Sequence, residues 1–221
     1  MQGRTTAKAA THRRIVSSAS RLMRRRGLTG ASVADVMRGA GLTVGGFYAH
    51  FRSKRAMDLE VLEQTFDDVR ERSAARQAGA QGIDWLARDV GHYLAADHRD
   101  HPETGCPAPS VVAELARADK TLRLALGTFF ERWSERIAAH VPETGSAAAR
   151  ERALATIALC VGGLTIARSL RGQRLSDEFL RACAAWAVPE RAGSATPPSS
   201  LRRRRPMRRR PSRPSPRRRS S

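Results

Sequence analysis

Residues 32–54 of the chain read SVADVMRGAGLTVGGFYAHFRSK. Ser32 is a favourable helix N-cap, and Asp35 follows three residues later, which is the spacing of a capping box. The helix that begins here has a short apolar face and should end where Gly41 lets the chain turn. A third short helix follows the turn and carries Phe47 on its inner side. The stretch therefore predicts two short helices joined by a tight turn.

The helices on either side of this stretch follow from apolar residues spaced three and four apart. The stripe of the first helix comprises Ile15, Ala19, Leu22 and Met23. This helix should end near Arg26, because Gly27 follows a run of three arginines that suits a helix C-terminus. A long fourth helix should start after Ser53. Its apolar stripe comprises Leu59, Leu62, Phe66 and Val69. The expected buried anchors of the third helix are Leu42, Phe47 and Phe51.

The rest of the chain up to about residue 190 also has helical periodicity and few strand signals. Five further helices are predicted, over residues 83–97, 107–116, 120–140, 147–169 and 176–187. The expected fold class is all-α, with about nine helices: an N-terminal three-helix helix-turn-helix domain and a C-terminal helical bundle. We expect these domains at 9–69 and 70–190, followed by a basic tail at 191–221.

The net charge of +19 is unevenly distributed along the chain. Residues 1–55 contain twelve Lys or Arg and the single acid Asp35, whereas residues 56–201 have a balance of −3. Clustered cations gain affinity for phosphate by releasing condensed counterions, so the N-terminal part is expected to bind a polyanion. A solvated basic face without a partner is the alternative.

The tail from Gly193 onward is dominated by Pro, Ser and Arg, with eleven arginines and no acid beyond Leu201. This composition cannot build a hydrophobic core, so the tail is expected to be disordered. It could strengthen nonspecific nucleic-acid binding, or it could be an extension without a function, including a frameshifted end.

The three cysteines, Cys106, Cys160 and Cys183, have no C-x-x-C spacing, and no secretory signal pattern opens the chain. We therefore expect a cytoplasmic protein. The longest charge-free stretch, residues 153–167, is shorter than the roughly 20 residues that cross a bilayer, so a buried helix is expected and no membrane span. Because this helix is apolar nearly all round, it needs cover. A second copy of the chain is the simpler source of cover, and an internal ligand cavity is the alternative.

Residues 32–54 resemble the DNA-binding signature of the TetR/AcrR family of transcriptional regulators. The agreement begins with SVADV at residues 32–36 and continues from residue 40 to residue 54. The motif covers about fifty residues well, and helix order and chain length extend a weaker likeness to about residue 190. The resemblance implies a homodimeric repressor in the bacterial cytoplasm, associated with the nucleoid when bound to DNA. It would bind a palindromic operator and release it when an effector occupies the C-terminal half. An activator is the alternative.

The N-terminal end of the third helix is expected to enter the major groove of DNA. Val44 is a candidate contact for thymine methyl groups, and Gly45 and Gly46 allow the backbone to approach the DNA closely. Thr43, which can also cap this helix, and Tyr48 can bond to phosphates or base edges. For Tyr48, a partly buried core position is the alternative. Few bases would be read directly, so specificity should also depend on DNA shape and half-site spacing.

His50, Arg52 and Lys54 are expected to form a cationic edge that contacts phosphate, together with the backbone amides that open the fourth helix. In the family the position of Lys54 commonly contacts the DNA backbone. A merely solvated His50 is the alternative. Ser32 completes the expected DNA-binding set. Four basic residues could form an arm on the flanking DNA or simply a frayed terminus: Arg4, Lys8, Arg13 and Arg14.

Four aromatic residues of the C-terminal half are candidates either for lining a ligand cavity or for plain core: Trp85, Tyr93, Phe129 and Trp133. The sequence HPETGCP at 101–107, with VAELA at 112–116, resembles a branch of the family that includes electrophile and oxidant sensors. Cys106 precedes a predicted helix, whose dipole would lower the pKa of the thiol and favour such sensing. A small buried thiol is the alternative, and it is expected for Cys160 and Cys183.

No metal or cofactor is expected, because the candidate ligands Asp97, His98, His101 and Cys106 are irregularly spaced. The sequence has no nucleophile elbow, P-loop, dinucleotide fingerprint or H-E-x-x-H motif, so no catalytic residues are expected. The alternative to a specific regulator is a sequence-nonspecific basic nucleic-acid-binding protein, which would not depend on the third helix.

Overall fold

In the computed structural model the chain is described at residues 2–143 and 145–189. Within these ranges the structure has nine α-helices, two short 3₁₀ helices and no β-strand. The α-helices are α1 (Gln2–Arg26), α2 (Val33–Gly39), α3 (Lys54–Arg76), α4 (Gly82–Tyr93), α5 (Ala96–Asp100), α6 (Ala108–Leu115), α7 (Lys120–Ala138), α8 (Ser146–Ser169) and α9 (Arg174–Ala187). The 3₁₀ helices are Val44–Ala49, called the exposed 3₁₀ helix below, and Pro102–Thr104. The expected all-helical fold is confirmed. The predicted tail lies outside the described residues.

The tight turn after α2 is built by local sequence signals. The Ser32 hydroxyl accepts the Asp35 N–H at 3.0 Å and the Asp35 carboxylate accepts the Ser32 N–H, so α2 begins with a capping box. Gly41 has a φ of +67°, a conformation that glycine adopts at little cost. The Ser53 hydroxyl then accepts the Ala56 N–H at 3.1 Å and caps α3.

The third helix differs in detail from the prediction. It is a 3₁₀ helix, in which the His50 N–H donates to the Phe47 carbonyl three residues back. Gly45 and Gly46 explain the short element, since glycine disfavours a regular α-helix. The Thr43 side chain makes no capping hydrogen bond within the described residues, so the predicted Thr43 cap is wrong.

The helix predicted over residues 83–97 is divided into α4 and α5. Between them Ala95 has an extended backbone, with φ −77° and ψ 150°. The ring of His98 folds back and bonds through Nδ1 to the Tyr93 carbonyl at 2.7 Å. A side chain therefore satisfies a carbonyl at the end of α4 that a continuous helix would have paired through its own backbone.

Two clusters of buried apolar residues form the core. The first joins α1, α2, the exposed 3₁₀ helix and the first half of α3, and α6 contributes Val111 and Leu115 to it. The second lies between α4, α7, α8 and α9 and includes Leu86, Ile137 and Leu164. Because α6 packs into the first cluster, a helix from the C-terminal half is part of the N-terminal core.

Helix α8 is the one helix of the described chain that is long and apolar enough, by length and composition, to cross a membrane, with a mean hydropathy of 1.2. The helix is longer than the charge-free stretch at residues 153–167. Its buried side chains, among them Ile157, Cys160 and Leu164, pack in the second core cluster. We therefore interpret α8 as a core helix of the bundle.

Candidate functional site

The exposed 3₁₀ helix has one face in the core and the other in solvent. Phe47 is completely buried and stacks on Phe51 with the ring centroids 5.5 Å apart. The neighbouring Tyr48 is 74% exposed and Val44 is 49% exposed. A Cβ atom added at Gly45 would meet no described atom within 4 Å. Thr43 and Gly46 are exposed as well, so each of the residues expected to contact bases is open to solvent.

His50 lies at the edge of this surface and is half-buried. Its ring centroid is 5.8 Å from that of His12, whose Nε2 bonds to the Glu60 carboxylate at 2.6 Å. Burial lowers the pKa of His50, and the charges of His12 and Lys8 lower it further. The lowered pKa favours the uncharged form of the His50 ring in the free protein.

Lys54 is half-buried and has partners within the protein. Its Nζ donates to the Leu28 carbonyl and to the Asp58 carboxylate, both at 2.8 Å. Burial raises the pKa of Asp58, and the ion pair with Lys54 opposes this change. Lys54 thus connects α3 to the loop after α1. Of the other expected DNA-contacting residues, Arg52 is exposed and Ser32 is used in the cap of α2.

The basic residues near the N-terminus lie on a continuous helix and not on an extended arm. Lys8 and Arg13 are exposed on α1. Arg14 donates through Nη2 to the Ala40 carbonyl at 2.6 Å and thereby joins α1 to the end of α2. The side chain of Arg4 is not among those that the structure describes.

A cavity of about 180 Å³ is lined by residues of α3, α4 and α7 and by the loop before α6. The structure places Tyr93, Cys106, Phe129 and Trp133 in its wall. Trp85 lies elsewhere, because its ring stacks on that of His140 with the centroids 4.2 Å apart. Trp85 does not line this cavity and belongs to the second core cluster, the alternative that the sequence left open for it.

The cavity wall also contains charged residues that were not predicted from the sequence. Arg72 and Arg76 of α3, Asp89 of α4 and Arg136 of α7 all line it. Burial lowers the pKa of Arg76 and of Arg136, and Asp89 partly offsets this effect. Arg72 and Arg76 are four residues apart and share one face of α3, which was the signal available in the sequence.

His98 joins the cavity loop to the end of α4. Its Nε2 accepts the Cys106 N–H at 2.9 Å, so its Nδ1 carries the proton and donates to the Tyr93 carbonyl. Burial lowers the pKa of His98 to about 4, which keeps the ring neutral. A Cβ at Gly105 would overlap this ring. Both ring nitrogens are occupied, and the described residues contain no group of three potential metal ligands.

Cys106 is 3% exposed. Burial raises the pKa of its thiol, and the Tyr93 hydroxyl and the Ala108 N–H offset this only in part. The expected lowering of this pKa by the helix dipole is therefore wrong, because loss of hydration outweighs it. Cys160 is buried as expected, with a raised pKa, whereas Cys183 is only half-buried.

Helix α6 connects the cavity loop to the N-terminal core. The Glu114 carboxylate accepts the N–H groups of Leu28 and Thr29, at 2.7 and 2.9 Å. The Ser110 hydroxyl donates to the Arg24 carbonyl at 2.6 Å. A displacement of α6 would therefore act directly on the end of α1 and the loop that follows it.

Two family models match the chain. The model of bacterial regulatory proteins of the TetR family matches residues 15–61. The model of the C-terminal domain of LmrA/YxaF-like transcriptional regulators matches residues 80–185. The chain belongs to the TetR family of transcriptional regulators. The first match of this TetR-family chain contains the exposed 3₁₀ helix, and the second contains the cavity residues of α4 and α7.

Relatives and solved structures agree with the family. The HTH-type transcriptional repressor DhaR of Mycobacterium sp. (strain GP1) is 27% identical over 129 residues, which are 58% of this chain and 63% of that protein. The match thus spans less than two thirds of this relative. A TetR transcriptional regulator from Chloroflexus aurantiacus J-10-FL has 25% identity and a TM-score of 0.70, over 82% of this chain and 96% of its own. A TetR-family regulator from Cytophaga hutchinsonii shares the fold at 21% identity and a TM-score of 0.69, over 82% and 94%.

As a member of the TetR family, the chain is a DNA-binding transcriptional regulator. A sequence-nonspecific basic nucleic-acid-binding protein is not favoured.

Proposed function

We propose that this TetR-family regulator is a repressor in the bacterial cytoplasm that binds a palindromic operator as a homodimer. A small-molecule effector bound in the cavity would release the operator. The observation that carries the proposal is the exposed 3₁₀ helix, in which the buried Phe47 holds the turn while Tyr48 remains 74% exposed. Tyrosine combines an apolar ring with a polar tip, and it is enriched at binding interfaces for that reason.

The DNA contacts follow from the open surface around Tyr48. Val44 would contact thymine methyl groups, Tyr48 and Thr43 would bond to base edges or phosphates, and the glycines would allow close approach. Arg52 and the first amides of α3 would hold phosphate. For Lys54 to contact phosphate as well, it would share or exchange its bonds to Leu28 and Asp58.

Homodimerisation would cover apolar side chains that are open on α8 and α9. Leu154 and Ile166 of α8 are 45% and 41% exposed, and Leu175 and Trp186 of α9 are 45% and 77% exposed. Helices of two copies packed on each other would bury these side chains symmetrically. A dimer would also set the distance between the two exposed 3₁₀ helices, which should match about one turn of DNA.

The effector would act by shifting the population of two arrangements of this dimer. A ligand in the cavity contacts the loop before α6, and α6 is bonded to the end of α1 and the following loop through Ser110 and Glu114. If the ligand favours a different position of α6, the spacing of the two DNA-contacting surfaces changes. Such coupling requires different effector affinities in the two arrangements.

Fluorescence anisotropy with the full-length protein tests the DNA-binding part of the proposal. The DNA is the region upstream of the protein's own gene, and a scrambled DNA of equal length is the reference, at about 0.15 M salt. We expect specific binding that Tyr48→Ala weakens by about tenfold or more. Leu124→Ala is the matched control, because Leu124 is 60% exposed and belongs to α7 and not to the exposed 3₁₀ helix.

Two results would count against a sequence-specific repressor. Equal affinity for upstream and scrambled DNA would favour nonspecific electrostatic binding, which should also fall steeply with salt. Unchanged specific binding by Tyr48→Ala would remove the exposed 3₁₀ helix from recognition. Deletion of residues 193–221 should leave specific binding intact, and its loss would place recognition in the tail.

A further inference from the structure

The cavity contains buried hydrogen-bond donors without acceptors. Trp133 Nε1, the Tyr93 hydroxyl and Arg136 Nε have no hydrogen-bond partner among the described residues. Trp133 and Tyr93 are only 4% and 7% exposed, and all three residues line the cavity. The Tyr93 hydroxyl lies beside the Cys106 thiol, which is a weak hydrogen-bonding group, and makes no bond of standard geometry to it. Because unpaired buried donors are costly, these three groups indicate a ligand that supplies acceptor oxygens.

The charges of the wall favour an anion. The guanidinium groups come from Arg72, Arg76 and Arg136. The described lining residues include two carboxylates, of Asp89 and Asp97. Asp89 already accepts the Ser73 hydroxyl at 2.8 Å, while Asp97 is 82% exposed and lies 3.0 Å from His101 Nδ1. Asp89 keeps its negative charge, but the wall has three guanidinium groups against two carboxylates, and one of those carboxylates is at the rim, so the positive charge is in excess.

The size and the rings of the cavity restrict the ligand further. The Trp133 ring centroid is 5.2 Å from that of Tyr93 and 5.6 Å from that of Phe129, so one wall is aromatic. The volume is about 180 Å³. A cavity of about 150 Å³ admits one benzene molecule, so this one has room for a single ring with a small substituent. Guanidinium groups match carboxylates by paired N–H donors.

We propose that the cavity binds a monocyclic aromatic carboxylate, with the ring against Tyr93, Phe129 and Trp133 and the carboxylate on Arg136 and the unpaired Trp133 and Tyr93 donors. Calling this molecule an effector rests on the proposed repressor function. The binding of the molecule to the cavity does not depend on that function. The Tyr93 hydroxyl stays protonated as a donor, because burial raises the pKa of Tyr93 well above its usual value.

Isothermal titration calorimetry with the full-length protein at neutral pH tests this ligand class. Three probes share one ring and differ in charge: benzoate, benzamide and benzylamine. Benzoate should bind about tenfold or more tightly than benzamide, and benzylamine most weakly, because charge-assisted hydrogen bonds favour the anion. Arg136→Gln should remove the preference for benzoate. Arg123→Gln, an exposed position on the same helix, removes the same charge outside the cavity and should retain it.

Circular dichroism checks that the Arg136→Gln variant is folded. Tyr93→Phe is a second test that does not depend on that variant, because it removes only one hydroxyl. It should weaken benzoate binding several-fold and leave benzamide binding closer to wild type. Equal affinities for benzoate and benzamide in the wild type overturn the proposal. So do an unchanged preference in folded Arg136→Gln and an absence of benzoate binding at millimolar concentration.

The two proposals fail in different ways. If benzoate binds with the expected dependence on Arg136 but does not change operator affinity, the ligand class stands and the effector mechanism fails. If the protein binds its operator specifically and benzoate does not bind, the repressor proposal stands and the ligand class fails.

Discussion

The Glu114 carboxylate accepts the backbone N–H of Leu28 at 2.7 Å, although the two residues are 86 positions apart in the chain. The same carboxylate accepts the Thr29 N–H, and Lys54 donates to the Leu28 carbonyl. The loop after α1 is therefore held between α6 and α3. Since α6 follows the cavity loop, a movement of α6 would reach the loop after α1 and, through Lys54, the start of α3.

Glu114→Ala should lower the free energy of unfolding by about 1–3 kcal/mol, because the buried Leu28 N–H loses its acceptor. Urea unfolding followed by circular dichroism measures the change. Glu135→Ala, at an exposed position of α7, should change it by less than about 0.5 kcal/mol. Equal effects of the two variants would show that the Glu114 contacts add nothing to stability.

Phe47 and Tyr48 are neighbours in the chain, but replacing them with alanine should change stability by very different amounts. Phe47→Ala should destabilise the protein by about 3–5 kcal/mol, because Phe47 is completely buried. Tyr48→Ala should stay within about 0.5 kcal/mol of wild type in urea unfolding, because the ring is mostly in solvent. A large loss of stability in Tyr48→Ala would mean that its effect on DNA binding is indirect.

Stability should fall between about pH 6.5 and pH 4 because of His98. In the unfolded chain a histidine takes up a proton below about pH 6.5, whereas burial lowers the pKa of His98 in the folded protein to about 4. The unfolded state binds more protons in this window, so stability decreases as the pH decreases. Between pH 7.5 and pH 5 the loss should be about 2 kcal/mol, measured by urea unfolding.

The control for this pH effect is His98→Gln, which cannot titrate at that position. The variant should be less stable at pH 7.5, because it loses part of the connection between Tyr93 and Cys106. Its stability should depend less on pH than that of wild type. Burial also lowers the pKa values of His50 and His92, so these two histidines should account for the pH dependence that remains. Identical pH profiles would contradict a neutral, buried His98.

Cys106 should react slowly with iodoacetamide in the folded protein. The thiolate is the reactive form, and burial both raises the pKa of Cys106 and excludes the reagent. Cys183 is half-buried, so mass spectrometry should find it labelled first and Cys106 only after unfolding. Preferential labelling of Cys106 in the folded protein would support the sensor hypothesis and contradict the environment described above.

Trp186→Glu should weaken self-association by about tenfold or more, because it places a charge where an apolar ring is expected to be covered. Analytical ultracentrifugation measures the dissociation constant. Leu124→Glu, on α7, is the control and should leave it unchanged. A monomeric wild type, or a dimer unaffected by Trp186→Glu, would exclude this surface of α9 as the interface.

The local parts of the fold followed from sequence because each depends on a few neighbouring residues. The capping box of Ser32 and Asp35, the positive φ of Gly41 and the cap by Ser53 need no distant partner. The division between α4 and α5 did not follow, because it depends on His98 folding back onto Tyr93. Helical periodicity alone cannot show such a bond.

The site was predictable in part for the same reason. Tyr93 and Trp133 were named as candidates because they are aromatic, and they line the cavity, but Trp85 was named for the same reason and stacks on His140 instead. The pKa of Cys106 was predicted from a local effect, the helix dipole, and is set by burial, which tertiary packing decides. The internal partners of Lys54 come from two other segments and have no local signature.

DNase I footprinting on the DNA upstream of the protein's own gene tests most directly whether the exposed 3₁₀ helix reads an operator. Wild type should protect two inverted half-sites about one helical turn apart, and Tyr48→Ala should protect neither at the same concentration. Uniform protection without half-sites, or the same footprint for Tyr48→Ala, would contradict the account.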